Sequence, residues 1–282
     1  MRHRAYNAYN AKIKSEFYEK LTAYNCLILC NQAEWSNLIV AQVGNYLLSR
    51  LPAEEYGRLL PSLQPVTLSQ GEVLYESRGR LDFVYFPTTS VISLLYTMEN
   101  GSIAEMGLVG NDGVVGVALF LGGDTTPNRA VVQIAGHVLR MSAKVLREEF
   151  ARRGPFQYWL LRYTQALITQ ISQTAVCNRL HSVEQRLSRW LLLIHDRTNS
   201  EELPMTQEFI ANMLGGRRES VTVAAGRLQG SGLIHYSRGQ IRILDRKGLE
   251  AHVCECYQIV QAELDRLLGT GERPISPPAQ AT

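Results

Sequence analysis

Apolar residues recur along this chain with more than one period. From Asn45 to Leu63 the spacing is helical: Tyr46, Leu47 and Leu51 come first, and Pro52 followed by Glu54 and Glu55 then opens a turn carrying Tyr56, Leu59 and Leu60. From Gln64 to Met141 the period shortens. Runs such as PVTL, EVLY, FVYF, SVISLLY, AEMGLV and AVVQIAG are punctuated by Gly, Pro, Asn and Asp. This pattern predicts an antiparallel roll, barrel or sandwich of about eight strands. Helical spacing returns at Ala143–Phe150, and Pro155 opens a long helix to about Cys177. Val183–His195 is a further amphipathic helix, Asp196–Pro204 a polar loop, and Lys247–Leu268 a terminal helix. Residues 1–45 are irregular, an extension of unclear order, and Gly269–Thr282 is a Pro-rich tail expected to be disordered.

The stretch Met205–Leu228 predicts a helix-turn-helix. Thr206 is placed to cap a first helix carrying Phe209, Ile210, Met213 and Leu214, and Gly215-Gly216 end it. A second helix starts near Arg217. Val221, Ala224, Ala225 and Leu228 share one side of it, while Arg218, Glu219, Thr222 and Val223 share the other. A packed back with a polar, basic front is the shape that enters a DNA major groove. An ordinary helical hairpin with solvated arginines has the same local pattern, so the context matters. Leu233–Tyr236 and Gln240–Leu244, joined by Ser237-Arg238-Gly239, predict a hairpin directly after the second helix, the position of a wing. Between Pro204 and Lys247 seven basic residues (Arg217, Arg218, Arg227, Arg238, Arg242, Arg246, Lys247) face three acidic ones (Glu208, Glu219, Asp245), a larger surplus than the +3 of the whole chain. Basic charge is concentrated where phosphates would need it.

The long helix from Pro155 carries two adjacent stripes. One is Leu160, Tyr163, Leu167, Gln170, Thr174 and Cys177; the other is Leu161, Thr164, Ile168, Ile171, Ala175 and Asn178. Two stripes call for two neighbours, the chain's own β-domain and the same helix of a second subunit. Leu160, Tyr163, Leu167, Ile168, Ile171, Thr174 and Ala175 are the expected dimer contacts. The competing reading is one wide face packed within a single chain.

At 282 residues there is room for two cores, and the apolar and charged fractions, 45% and 20%, are ordinary for a globular protein. Five cysteines (Cys26, Cys30, Cys177, Cys254, Cys256) form no regular framework, which argues for a reducing compartment, the cytoplasm. Cys26 and Cys30 have no third cysteine nearby until Cys177, so no metal site is expected. No run approaches a membrane span, and no secretory signal is evident. No Walker loop, HExxH, GxSxG or dinucleotide fingerprint is present, so neither an enzyme nor a cofactor is indicated.

A β-roll, a long helix and a winged helix-turn-helix, in this order from Leu51 to Leu268, resemble the Crp/Fnr superfamily of bacterial transcription regulators. The most specific stretch is TQEFIANMLGGRRESVTVAAGRLQGSGLI followed by the wing. The resemblance implies an α+β chain with an N-terminal antiparallel β-roll of cyclic-nucleotide-binding type (46–154), a dimerisation helix (155–181) and a winged helix-turn-helix (182–268). It puts Arg218-Glu219 on the base-reading pair of the family, while Val223 stands where a further arginine is common, so the half-site would differ from the familiar one. Thr206, Gln207, Arg217, Arg218, Glu219, Ser220, Thr222 and Arg238 are the expected DNA-binding residues.

In the roll, Gly71-Glu72, Gly79, Tyr85-Phe86 and Asn100-Gly101 resemble landmarks of the family. The phosphate-binding cassette departs from it: Val117 falls where cyclic-AMP binders carry glutamate, and Arg129 is followed by Ala130 instead of a hydroxyl residue. Arg129, Val117 and Glu105 are the candidate effector-pocket residues, and cyclic AMP is not expected to switch the protein. The Fnr-type cysteine cluster is missing, and His137 reads as a polar strand residue, not a haem ligand. The expected function is sequence-specific DNA binding as a cytoplasmic homodimer on a palindromic promoter site. RNA polymerase is a partner that the resemblance leaves open, and no membrane is involved. A small-ligand sensor acting through protein partners, its DNA-binding domain vestigial, is the alternative.

Overall fold

Alternating patterns of the β-rich half are satisfied by two antiparallel sheets. The computed structural model describes residues 44–198, 200 and 202–269. Residues 1–43 and 270–282, with Cys26, Cys30 and nearly all of the Pro-rich tail, lie outside the described residues. Two short helices lead in, α1 (Tyr46–Ser49) and α2 (Ala53–Leu59). Asn45 fixes this entry. Its Oδ1 caps α1 at Leu48 N, and its buried Nδ2 donates to Pro87 O and Gly113 O, both at 2.9 Å. Pro52 precedes α2, with Glu54 and Glu55 in the first turn.

Seven strands follow where about eight were expected: β1 (Gln64–Leu68), β2 (Val73–Tyr75), β3 (Phe83–Pro87), β4 (Val91–Thr97), β5 (Ile103–Val109), β6 (Arg129–Ile134) and β7 (Gly136–Ser142). They pair as β1-β7-β3 and β2-β6-β4-β5, every pair antiparallel. Val84, Phe86, Ile92, Leu108, Val132, Val138 and Met141 are sealed in the core. A one-turn 3-10 helix, Val117–Phe120, interrupts the β-domain, entered through Gly116 at φ 105°.

Ser142 caps α3 (Ala143–Ala151), and Pro155 opens α4 (Pro155–Leu180). One face of α4 lies on β5. Gln170 hydrogen-bonds both backbone groups of Leu108, its Oε1 accepting from N at 2.7 Å and its Nε2 donating to O at 3.2 Å. Gly113 is required here because a Cβ would lie 2.4 Å from the Tyr163 ring. This corrects part of the expected dimer seam. Leu160, Tyr163, Leu167 and Thr174 are buried within their own chain, whereas Ile168 and Ala175 are exposed and Ile171 is half-buried. Two adjacent stripes give a helix two neighbours; periodicity alone does not say which stripe faces home.

Ser182 and Gln185 form a capping box at α5 (Val183–His195). The loop after it contains a short strand, β8 (Glu202–Pro204), which joins the wing sheet in the order β8-β10-β9. The helix-turn-helix is α6 (Gln207–Leu214) and α7 (Arg218–Gly230), and the wing is β9 (Ile234–Ser237) and β10 (Gln240–Ile243). The expected terminal helix is two helices, α8 (Arg246–His252) and α9 (Cys256–Leu268), because Val253 turns to an extended conformation and buries Cys254. Helix α9 packs along α4: Arg162 near the start of α4 donates to Arg266 O and Leu267 O at the end of α9. No described helix is long and apolar enough to cross a membrane.

Candidate nucleic-acid interface

The helix-turn-helix is held by local chemistry. Thr206 Oγ1 accepts from Phe209 N at 3.2 Å, capping α6. Gly215 ends it in the left-handed conformation at φ 59°, where a Cβ would be strained. Val221, Ala224, Ala225 and Leu228 bury the back of α7. The opposite face is exposed: Arg217, Arg218, Glu219, Ser220, Thr222 and Val223 all stand out of the surface. Thr222 Oγ1 donates to Gln207 Oε1 at 2.8 Å, so two of the candidate DNA-binding residues also fix the angle between α6 and α7.

The wing turn has two residues. Ser237 pairs with Gln240, leaving Arg238 (φ 51°) and Gly239 (φ 75°) both at positive φ, the geometry of a type I′ turn. Arg238 therefore sits at the wing tip, exposed. Among the described residues no ion pair engages Arg217, Arg218, Arg238 or Arg242. Arg227 pairs with Glu184 at 3.5 Å, and Arg246 with Asp196 and Glu250, so these two of the seven basic residues serve the fold. The five that remain are Arg217 and Arg218 at the start of α7, Arg238 and Arg242 on the wing, and Lys247 in α8.

The candidate effector residues do not converge. Val117 lines a cavity with Tyr75, Leu81, Leu94, Val114 and Asn128, but the cavity holds only about 40 Å³. A ligand pocket needs roughly 300–1,000 Å³. Arg129 is half-buried and paired with Glu76 at 3.4 Å. Glu105 corrects the expectation more sharply. Its carboxylate accepts from Trp190 Nε1 of α5 at 2.8 Å, and Trp190 in turn lies against Phe209 of α6, ring centroids 6.4 Å apart. Glu105 thus joins the β-domain to the helix-turn-helix. His137 is exposed on β7 and contacts Thr67 at 3.2 Å, as a polar strand residue does.

Burial pushes the Glu105 carboxyl up to about 7, opposed by hydrogen bonds from Ser93 and Trp190 and by the charges of Arg189 and Arg197. Its Oε2 is buried without a hydrogen-bond partner among the described residues. The native chain therefore holds a proton here that an unfolded chain, titrating near 4.5, has released. Stability falls as pH rises between these values and levels off above about 7. Glu105→Gln keeps the acceptor for Trp190 and is expected to remove that slope. Urea midpoints at pH 5, 6.5 and 8 check it; a variant that stays parallel to the parent across this range refutes the assignment.

Against known proteins, residues 185–252 match the family profile of the Crp-like helix-turn-helix domain. Sequence comparison with curated proteins gives no match. The structure is similar to that of FixK2 from Bradyrhizobium japonicum, at 16% identity and TM-score 0.59, covering 68% of this chain and 98% of that one. It is also similar to TTHB099, a transcriptional regulator of the CRP family from Thermus thermophilus, at 17% identity and TM-score 0.56, covering 66% and 95%. A third likeness is to CLP of Xanthomonas campestris, described as a c-di-GMP responsive global regulator, at 16% identity and TM-score 0.54, covering 69% and 100%. Residues 185–252 thus carry a Crp-like helix-turn-helix domain, and the fold is shared with these structures.

Proposed function

We propose that this chain, a Crp-like helix-turn-helix domain on a Crp/Fnr fold, is a sequence-specific DNA-binding regulator that acts as a cytoplasmic homodimer on two-fold symmetric sites. One observation carries the reading. Helix α7 is packed along its back yet presents Arg217, Arg218, Glu219, Ser220 and Thr222 on an open front, with Arg238 raised on the adjoining wing. Arg218 forks onto guanine O6 and N7, Glu219 accepts from cytosine N4, and the exposed Val223 contacts a thymine methyl. Arg217 and Arg238 hold phosphates, and Thr206 and Gln207 at the start of α6 face the backbone.

Cyclic AMP is not the effector in this reading. Val117 offers a ribose hydroxyl nothing, Arg129 is engaged by Glu76, and the cavity is an order of magnitude too small.

The test is a base-substitution binding panel. Arg218→Ala is expected to relax preference at one position per half-site, costing about 1–3 kcal/mol there. Arg238→Ala is expected to weaken every sequence alike and reduce the salt slope by about one. Equal loss on all sequences for Arg218→Ala would remove it from base reading.

A further inference from the structure

Three of the five cysteines, dispersed in sequence, meet at one point of the fold. Cys177 lies in the last turn of α4, and His181 follows one helical turn later as its C-cap. Cys254 lies in the break between α8 and α9, and Cys256 is the first residue of α9. The three thiol sulfurs and one ring nitrogen of His181 all lie within 4.8 Å of one another. Cys177 Sγ is 3.6 Å from Cys254 Sγ, and Cys256 Sγ is 3.6 Å from His181 Nδ1. All three cysteines are fully buried, while His181 reaches the rim.

We propose that Cys177, His181, Cys254 and Cys256 bind one zinc ion. The distances carry the choice of metal. Zinc bonds of about 2.3 Å to sulfur and 2.0–2.1 Å to nitrogen, in a tetrahedron, put two thiolates roughly 3.8 Å apart and a thiolate and an imidazole roughly 3.6 Å apart. Both measured contacts match. The widest pair has to close by about 1 Å on metallation, within the reach of a side-chain rotation. An iron–sulfur cluster distributes its four ligands over two or more irons and spreads them further than the 4.8 Å of this site.

The surroundings are those of a metal site as well. His181 turns Nδ1 to the sulfurs, and its other nitrogen, Nε2, lies 3.3 Å from the Glu255 carboxylate. A carboxylate behind the ring fixes the tautomer and orientation of a ligating histidine. Three thiolates, a neutral imidazole and Zn²⁺ sum to one negative charge. Arg189 supplies the counter-charge: it is 4% exposed, it interacts electrostatically with Cys177, and its Nε and Nη1 have no hydrogen-bond partner among the described residues. Four protein ligands close the coordination sphere, so the ion is structural. It fastens the end of α4 to the segment that leaves the wing through α8, and so ties the helix assigned to dimerisation to the DNA-reading unit.

The test uses the full chain purified under reducing conditions. Metal analysis is expected to give one zinc per chain, retained in Cys26→Ser/Cys30→Ser and lost in Cys254→Ser/Cys256→Ser. Cobalt(II) added to the chelator-stripped chain is expected to give the intense visible and sulfur-to-metal charge-transfer bands of a tetrahedral thiolate site, saturating at one equivalent. Glu255→Gln, which leaves all four ligands in place, is expected to weaken metal binding by about 10–100-fold. These readouts are independent of DNA, so they stand or fall apart from the regulator assignment. A reduced, folded chain that takes up neither metal overturns the proposal, as does a Cys177–Cys254 disulfide in the protein isolated from cells.

Discussion

Arg197→Ala is expected to destabilise the chain by about 3–5 kcal/mol, because it strips a buried carboxylate of its guanidinium. Arg197 follows α5 and is 2% exposed. It grips Asp112 with both arms, Nη2 to Oδ2 at 2.8 Å and Nε to Oδ1 at 3.2 Å, and its Nη1 donates to Leu193 O. The loop that presents Asp112 is shaped for this contact: a Cβ on Gly110 would lie 2.6 Å from the Arg197 Cβ. The pair fastens the exit of α5 to the β-domain, so its loss removes a large share of the roughly 5–15 kcal/mol that a folded domain commands. At about 2–4 °C per kcal/mol in a chain of this size, the thermal midpoint should fall by roughly 6–20 °C. Urea unfolding of Arg197→Ala, Asp112→Asn and the double variant is the measurement. The double variant should be the less damaged relative to the sum, since most of the single-variant cost is the desolvated charge left behind. A single variant within about 1 kcal/mol of the parent would show that the bridge is dispensable.

What could be read in advance was local. The helix-turn-helix was legible because each of its determinants lies within one or two turns of the residue it controls: Thr206 over Phe209, Gly215 at the break, Val221 and Leu228 one apolar row apart. The wing was legible for the same reason, a two-residue turn ending in Gly239. What escaped was the pairing of individual side chains over long sequence distance. Strand alternation does not tell on which side of the sheet Glu105 finds Trp190, 85 positions later. The Asp112–Arg197 bridge spans the same separation. Cys177-x-x-x-His181 and Cys254-x-Cys256 each have a ligand-like spacing, one helical turn and one alternate residue, but the two halves lie 77 positions apart and only folding α9 back along α4 joins them. The break at Val253 was hidden because the apolar pattern of the terminal segment runs on through it. Burial of Cys254, not local propensity, ends α8.

If the proposed homodimer forms through α4, Ile168→Glu is expected to turn it into a folded monomer and, with it, to abolish tight operator binding. Helix α4 gives the reason. Tyr163, Leu167, Gln170 and Thr174 are spent on the chain's own β-domain and core, and α9 packs along the same helix. The remaining face leaves Leu161 45% exposed and Ile168 53% exposed, with Ala175 exposed at the next step of seven. Leu161, Ile168 and Ala175 recur every seven residues on this open face, one of the two positions that a coiled-coil heptad repeats, and the proposed dimer contact is placed here. On the two-fold axis of the proposed dimer Ile168 would meet its own copy, so the variant would set two carboxylates against each other in a desolvated contact. The monomer itself loses little, because Ile168 is 53% exposed and outside the buried core. That separates this variant from Leu167→Glu, where a residue 4% exposed is charged inside the chain and unfolding is the expected result. Sedimentation should show dimer for the parent and monomer for Ile168→Glu, with helical circular dichroism retained. A monomer holds a single half-site, and operator affinity should drop by two or more decades while non-specific binding at low salt survives, since Arg217, Arg218 and Arg238 are untouched. A variant that remains a dimer with full operator affinity would remove α4 from the interface and require another face of the chain to supply the two-fold contact.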